Sequence, residues 1–315
     1  MAKTFYYLLK EARPRQWIKN AVVFTAVFFS GQLLNFPLLQ TTIIAYISFC
    51  LVSSSIYYIN DLTDIEKDRL HPFKRNRPIA AGKISKNLAL ATLIVLIAGG
   101  VLTASLISLP FLMVIAAYYA LHLSYSFVLK NIMLLDILAI AAGFIIRVFG
   151  GEVATGYHIN FWLFLTVISV SLFLAIGKRR SELTLMSGWE GGIPARTRAT
   201  LSRYSERMLD VYLSMFANSA WLTYALYTFL APPPILRKSF QVLLDDSNLY
   251  LFQERKWMVV TIPFVIFGIM RYLQLIYEKN EGESPEKVLL SDRPLIITAI
   301  ITGSLVFGII YIIGK

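Results

Sequence analysis

The chain has 315 residues, 57% of them hydrophobic, with 30 Lys and Arg against 19 Asp and Glu. That is too apolar for a soluble domain of this size, where about half apolar is usual, and runs near 20 apolar residues recur, each long enough to cross about 30 Å of hydrocarbon. The single cysteine, Cys50, lies inside an apolar run and excludes a disulfide or a thiolate metal cluster.

The opening segment, MAKTFYYLLKEARPRQW, is basic and amphipathic and runs straight into the first span, without the pattern of a cleavable signal peptide. Arg13, Arg15, Trp17 and Lys19 suit either an aromatic and basic anchor at the lipid headgroups or phosphate binding. Nine spans follow, at about 20–34, 41–60, 87–107, 110–127, 132–150, 160–177, 208–230, 256–276 and 294–313. The expected fold is therefore an all-α polytopic membrane protein, nine transmembrane helices in one bundle. The segments 1–19, 61–86, 128–131, 178–207 and 277–293 carry 23 of the 30 Lys and Arg. By the positive-inside rule they are cytoplasmic, with the N-terminus inside and the C-terminus outside. Much of the net positive charge is thus topological, which argues against a nucleic-acid partner. Every short connection suits antiparallel neighbours, so residues 1–315 read as a single transmembrane domain. Charged residues directly after spans two and six hint at a duplicated four-helix unit. Residues 231–255 are expected to lie along the outer interface.

The most informative stretch is NDLTDIEKDRLHPFKRNRP at 60–78, at the inner end of span two. In a helix, the spacing of Asn60, Asp61, Asp64 and Asp68 sets all four on one stripe. These are hard oxygen ligands, suited to Mg2+ carried in with substrate phosphates. Lys74, Arg75 and Arg77 follow and suit the remaining phosphate charge, and His71 sits among them as a hydrogen-bond donor. This is chemistry for a diphosphate leaving group.

The inner loop after span six opens with Gly177, Lys178, Arg179, Arg180, Ser181 and Glu182. Such a cationic run is an orientation signal or, facing the carboxylates across a bundle, a second phosphate clamp. Lys130 adds a cation at the inner end of span four, after Tyr125 and Ser126. Asp136 and Arg147 lie within span five, and intramembrane charges are functional candidates. Eleven residues apart, they share a face but stand about 16 Å apart along the axis, so they cannot pair. Asp136 suits orienting Lys130 or a substrate hydroxyl, and Arg147 reads as structural. His71, His122 and His158 form no metal constellation, and there is no Ser-His-Asp set, P-loop or dinucleotide fingerprint.

Nine spans with an NDxxDxxxD motif after the second resemble the UbiA superfamily of intramembrane prenyltransferases over nearly the whole chain. RPRQWIKN at 13–20, NDLTDIEKDRLHPFKRNRPIAAG at 60–82, YSFVLK at 125–130, GKRRSEL at 177–183 and PEKVLLSDRPL at 285–295 are similar to its decaprenyl-phosphate phosphoribosyltransferase branch. Ordinary members carry a second aspartate-rich motif after span six. Here that place holds GKRRSEL, whose only acid is Glu182, which suits direct binding of a phosphate.

The resemblance implies transfer of 5-phosphoribose from phosphoribosyl diphosphate to a long-chain polyprenyl phosphate, with Mg2+, in the cell membrane, at a site facing the cytoplasm. It implies Asn60, Asp61, Asp64 and Asp68 on the metal and Asp61, Asp64 and Asp68 in catalysis. Lys19, His71, Lys74, Arg75, Arg77, Tyr125, Lys130, Asp136, Lys178, Arg179 and Glu182 would bind substrates. The alternative enzyme is a prenyltransferase acting from a prenyl diphosphate on an aromatic or glycerol-phosphate acceptor, which would want acids where GKRRSEL stands. A transporter or flippase for polyprenyl phosphates would need charges through the whole bilayer, whereas here they gather on one face.

Overall fold

A computed structural model describes residues 2–70, 74–187, 203–232, 237, 256–279, 288 and 291–314. His71, the 188–202 part of the second inner loop and most of 231–255 lie outside the described residues.

The elements in chain order are α1 (Ala2–Glu11), a 3-10 helix (Pro14–Phe24) and α2 (Thr25–Phe29). Then come α3 (Phe36–Thr63), α4 (Ile65–Leu70), a 3-10 turn (Lys74–Asn76), α5 (Lys86–Ser105), α6 (Leu109–Phe127) and a second 3-10 turn (Leu129–Asn131). The rest are α7 (Leu135–Thr155), α8 (Phe161–Ser187), α9 (Glu206–Leu230), a 3-10 turn (Trp257–Thr261), α10 (Ile262–Lys279) and α11 (Arg293–Phe307), which runs into a π-helical end (Gly308–Ile313). Helix starts follow ordinary capping chemistry. The side chains of Ser85, Ser108, Ser205 and Asp292 each accept a backbone N–H three residues on, which satisfies donors the first turn leaves over.

Seven helical stretches among the described residues are long and apolar enough to cross a bilayer. They match seven of the nine expected spans. The expected span at 20–34 is instead the end of the 3-10 helix, the five-residue α2 and a turn through Gly31, whose φ is +74°. The one at 208–230 is a continuous 25-residue helix, α9. Its Asp210, Ser214, Asn218 and Ser219 leave it less apolar than the seven. Two boundaries also move. α3 extends to Thr63, so Asn60 and Asp61 stand in its last turn. α8 runs on to Ser187, so Lys178, Arg179 and Glu182 are helical, not in the loop expected from 178 onward.

The chain forms two compact units, Met1–Lys130 with Ala142–His158, and Asn131–Ala141 with Ile159–Lys315. In the first, α3 packs on α5 through small residues. A Cβ on Gly100 would lie 2.5 Å from Val52 Cγ2, and Ser48 Oγ donates to Thr103 Oγ1 at 2.8 Å. Close approach plus interhelical hydrogen bonds is how helices associate where lipid is as apolar as leucine. Gly151 on α7 does the same for the 3-10 helix: a Cβ there would sit 2.1 Å from the Val23 carbonyl oxygen. Phe49 of α3 and Phe111, Ile115 and Tyr118 of α6 belong to the core of this unit. In the second unit, α8 packs along α9, and Phe173, Ile176, Leu209, Leu213, Tyr272 and Leu275 form its core.

Candidate active site

The acidic motif begins in the last turn of α3, bends at Asp64 and continues in α4. Backbone bonds from Asp64 N–H to Asn60 O at 3.0 Å and from Asp68 N–H to Asp64 O at 2.8 Å carry the four-residue spacing across the bend. Asp61 and Asp68 are buried, while Asn60 and Asp64 are half-buried.

What surrounds Asp61 is a lattice of alternating charge. Arg13 Nη2 donates to both of its oxygens, at 2.7 and 2.6 Å. Arg77 Nη1 donates to Asp61 Oδ1 at 2.9 Å and to Asp68 Oδ2 at 2.6 Å. Among the described residues Asp64 meets only Lys67, at 3.5 Å. Arg13 reaches the site from a left-handed backbone, φ 52°, at the corner between α1 and the 3-10 helix. Such a conformation costs a residue with a side chain of order 1 kcal/mol and marks a position its surroundings hold in place. Tyr58 Oη donating to Leu8 O, Trp17 Nε1 donating to Ser54 Oγ and Ser54 Oγ donating to Ala12 O pin that corner to α3. The guanidinium also lies 4.7 Å from the centre of the Tyr57 ring. Burial opposes the charge on Arg13, but the Asp61 carboxylate outweighs it and raises the pKa.

Glu11, the last residue of α1, is 1% exposed, and neither carboxyl oxygen has a hydrogen-bond partner of ordinary geometry among the described residues. Burial, then the adjacent Asp61 carboxylate, pushes its pKa up to about 9. Glu11 is the residue of this site that sequence reasoning missed, its one signal being a lone acid on a basic helix. Arg13 was left between a headgroup anchor and phosphate binding, and its pairing with Asp61 was not foreseen.

The donor set fits a divalent cation that arrives with phosphates. Among the described residues no three His, Cys, Asp or Glu side chains are gathered closely enough to hold a metal unaided. Yet one nitrogen of a cation touches both Asp61 and Asp68, so the motif presents two carboxylates to a single positive centre. Mg2+ commonly takes one or two carboxylates and completes its octahedron with water and substrate phosphate.

A second charged cluster lies in the other unit. Asp136, in the first turn of α7, pairs through Oδ2 with Arg179 Nε at 2.7 Å and accepts from Tyr204 Oη through Oδ1 at 2.6 Å. Arg179 also pairs with Glu182. The N–H of Leu134, itself at φ 68°, donates to Tyr204 Oη at 2.7 Å. Burial, reinforced by the hydrogen bond to Asp136, raises the Tyr204 pKa. Arg179 is 1% exposed. Three residues expected to bind substrate, Asp136, Arg179 and Glu182, are therefore brought together with each other, their charges compensated inside the fold. Lys178 beside them is half-buried, and Arg180 is committed to Asp210 and Glu206.

The remaining candidates differ in exposure. Lys19, Lys74, Tyr125 and Lys130 are half-buried and Arg75 is exposed. Arg147 is buried and donates to Asn20 Oδ1 and Gly143 O, both at 2.7 Å, and to Tyr118 Oη at 2.5 Å. It contacts Asn20 and Tyr118 where Asp136 contacts Arg179, so the two intramembrane charges do not pair, as their spacing required.

A multi-pass helical membrane protein with an acid-and-arginine site at the end of the apolar helix α3 is the class that fold and site define. A family model for the UbiA prenyltransferase family matches residues 21–291. Decaprenyl-phosphate phosphoribosyltransferase of Mycolicibacterium smegmatis is 36% identical over 91% of this chain and 87% of its own length. The protein of that name from Corynebacterium glutamicum is 32% identical over 93% and 83%. A UbiA homologue from Archaeoglobus fulgidus, solved with GPP and Mg2+, shares the fold with a TM-score of 0.67 at 18% identity, covering 96% of this chain and 99% of that one. The chain belongs to the UbiA prenyltransferase family and is a membrane-embedded transferase.

Proposed function

We propose that the protein transfers the 5-phosphoribosyl group of phosphoribosyl diphosphate to a long-chain polyprenyl phosphate at the cytoplasmic face of the cell membrane. The observation that carries this is the bridging of Asp61 and Asp68 by one guanidinium with Arg13 beside them, an arrangement suited to a charge-dense diphosphate. The relatives named as phosphoribosyltransferases supply the sugar and the lipid acceptor. The Mg2+ in the Archaeoglobus homologue supports a divalent cation here.

Asn60, Asp64 and Asp68, with Asp61, would hold Mg2+ on the donor's diphosphate. When bound, the cation neutralises charge building on the leaving oxygen. An oxygen of the acceptor phosphate attacks C1 of the ribose, the bond from C1 to the diphosphate oxygen breaks, and diphosphate leaves with that electron pair. The acceptor phosphate is largely ionised at pH 7, its second pKa being about 6, so no residue need remove a proton. Arg13, Lys74, Arg75 and Arg77 bind the donor's phosphates, with His71 as a further donor. The Asp61 carboxylate fixes the direction of two of those guanidiniums. Lys19, Tyr125, Lys130 and Lys178 serve the acceptor phosphate or the donor's 5-phosphate. Asp136, Arg179 and Glu182 hold the helix end that carries Lys178. Carboxylates near C1 favour the positive charge the sugar develops.

The test is to incubate purified protein with labelled phosphoribosyl diphosphate, Mg2+ and a polyprenyl phosphate, then extract the lipid. Label in the lipid phase that EDTA abolishes supports the assignment. Consumption of a prenyl diphosphate with an aromatic or glycerol-phosphate acceptor, and no lipid label, replaces it with prenyl transfer.

A further inference from the structure

Arg77 occupies a position that a metal would also need. Its Nη1 stands 2.9 Å from Asp61 Oδ1 and 2.6 Å from Asp68 Oδ2, so a divalent ion joining those oxygens would meet a guanidinium at contact distance. Two cations that close repel strongly in a partly desolvated site. Either the metal or Arg77 can hold Asp68, not both.

The two arginines differ in what they can do about it. Arg13 spends one nitrogen on both oxygens of Asp61 and hangs from a corner tied to α3 by three hydrogen bonds. Arg77 follows the short 3-10 turn Lys74–Asn76, with its N–H on Lys74 O and its carbonyl accepting from Ala81 N–H. Its side chain is 28% exposed, against 2% and 5% for the carboxylates it holds. A long side chain rooted at the surface, with further N–H donors beyond the one nitrogen it uses here, has an alternative partner when phosphate arrives. Guanidinium binds phosphate oxygens in the same forked way as carboxylate.

We propose that Arg77 is the resident counter-cation of the donor site. Without substrate it neutralises Asp61 and Asp68. When the donor enters with its metal, Arg77 passes to the diphosphate and the metal takes its place on Asp68, while Arg13 keeps Asp61 oriented. The site thus discriminates against free Mg2+ and accepts metal and diphosphate together. This rests on the donor-binding reading above and adds the exchange to it.

The probe is Mn2+ alone, a hard cation of similar ligand preference, titrated into purified protein while free Mn2+ is followed by electron paramagnetic resonance. Removing a competing cation should tighten binding by at least about tenfold, a typical coupling between sites, so Arg77→Met should bind Mn2+ that much more tightly than the unaltered protein. Arg75→Met deletes the same charge from an exposed neighbour that contacts neither carboxylate, and should change the affinity little. Equal or weaker Mn2+ binding by Arg77→Met overturns the proposal, as does an equal gain in Arg75→Met. Should Arg77→Met not fold, the unaltered protein decides: Mg2+ alone leaves Tm unchanged and Mg2+ with phosphoribosyl diphosphate raises it, whereas a full rise with Mg2+ alone overturns the exchange. If the donor with Mg2+ gives no rise at all, the donor assignment fails and the exchange that rests on it fails with it; a rise with Mg2+ alone overturns the exchange and leaves the donor assignment standing.

Discussion

Asp136→Asn separates a structural role for the second charged cluster from a role on substrate. Asn keeps an acceptor for Tyr204 Oη and nearly the same volume, so the change removes charge and little else. Arg179, 1% exposed, then retains Glu182 as its one acidic partner among the pairs seen here. Breaking a buried ion pair by deleting one member costs about 3–5 kcal/mol. The surviving Glu182 contact puts this case at the low end, about 3 kcal/mol, or several degrees of Tm in a chain of this size. Removing Arg179 as well, in Asp136→Asn with Arg179→Met, no longer strands a buried cation. The double variant should therefore lose about 2 kcal/mol less than the two single losses added together. The assay is denaturant unfolding of the purified protein in micelles, with transferase activity measured on the folded fraction. A single variant that keeps its stability within about 1 kcal/mol while losing all turnover would refute the reasoning. Asp136 would then act on substrate.

Three further outcomes are expected. Asp64→Asn, at a half-buried residue whose one ion pair among the described residues is with Lys67, should cost at least about a hundredfold in turnover and leave Tm unchanged; near-normal activity would remove Asp64 from the metal set. Glu11 has its pKa raised to about 9 from a free value of 4.5, so the folded state binds its proton more tightly than the unfolded chain. Its contribution is complete below pH 4.5 and is lost as pH rises through about 9. Glu11→Gln mimics the protonated acid and should flatten the fall in Tm between pH 7 and 9.5; parallel pH profiles for the two proteins would contradict this. Gly151→Ala forces a Cβ against the Val23 carbonyl oxygen at 2.1 Å and should destabilise by about 1–3 kcal/mol. Gly303→Ala, with nothing within 4 Å, serves as the matched helix control and should be neutral or slightly stabilising.

The membrane class and seven of the spans were legible because length and hydropathy decide them locally. The departures have different causes. Residues 20–34 are apolar enough for a span, yet the segment starts as a 3-10 helix at Pro14 and turns at Gly31, so it is not one long α-helix. The end of span six was placed at 177 because Lys178, Arg179 and Arg180 read as a loop. Arg179 stays helical because Asp136 and Glu182 neutralise it, and Arg180 because Asp210 and Glu206 do. Asp136 and Asp210 lie 43 and 30 residues away in sequence, and no window of hydropathy contains them.

The same separation divides the site. Spacing alone set Asn60, Asp61, Asp64 and Asp68 on a common stripe, and the backbone preserves it across the bend at Asp64. That Asp61 is held by Arg13, 48 residues before it, is a tertiary fact. A sequence reader weighing Arg13 had only its neighbours, an aromatic and basic stretch that suits a headgroup anchor equally well. Its left-handed backbone is the observation that distinguishes the two roles. An anchor at the lipid surface has no need of a strained corner, whereas an arginine aimed at one buried carboxylate does. Leu134, the other residue with a side chain at positive φ among the described residues, presents its N–H to the tyrosine that holds Asp136. Among the described residues, positive φ at positions bearing a side chain therefore falls beside buried acid–arginine clusters, where the backbone is bent to bring opposite charges together out of water.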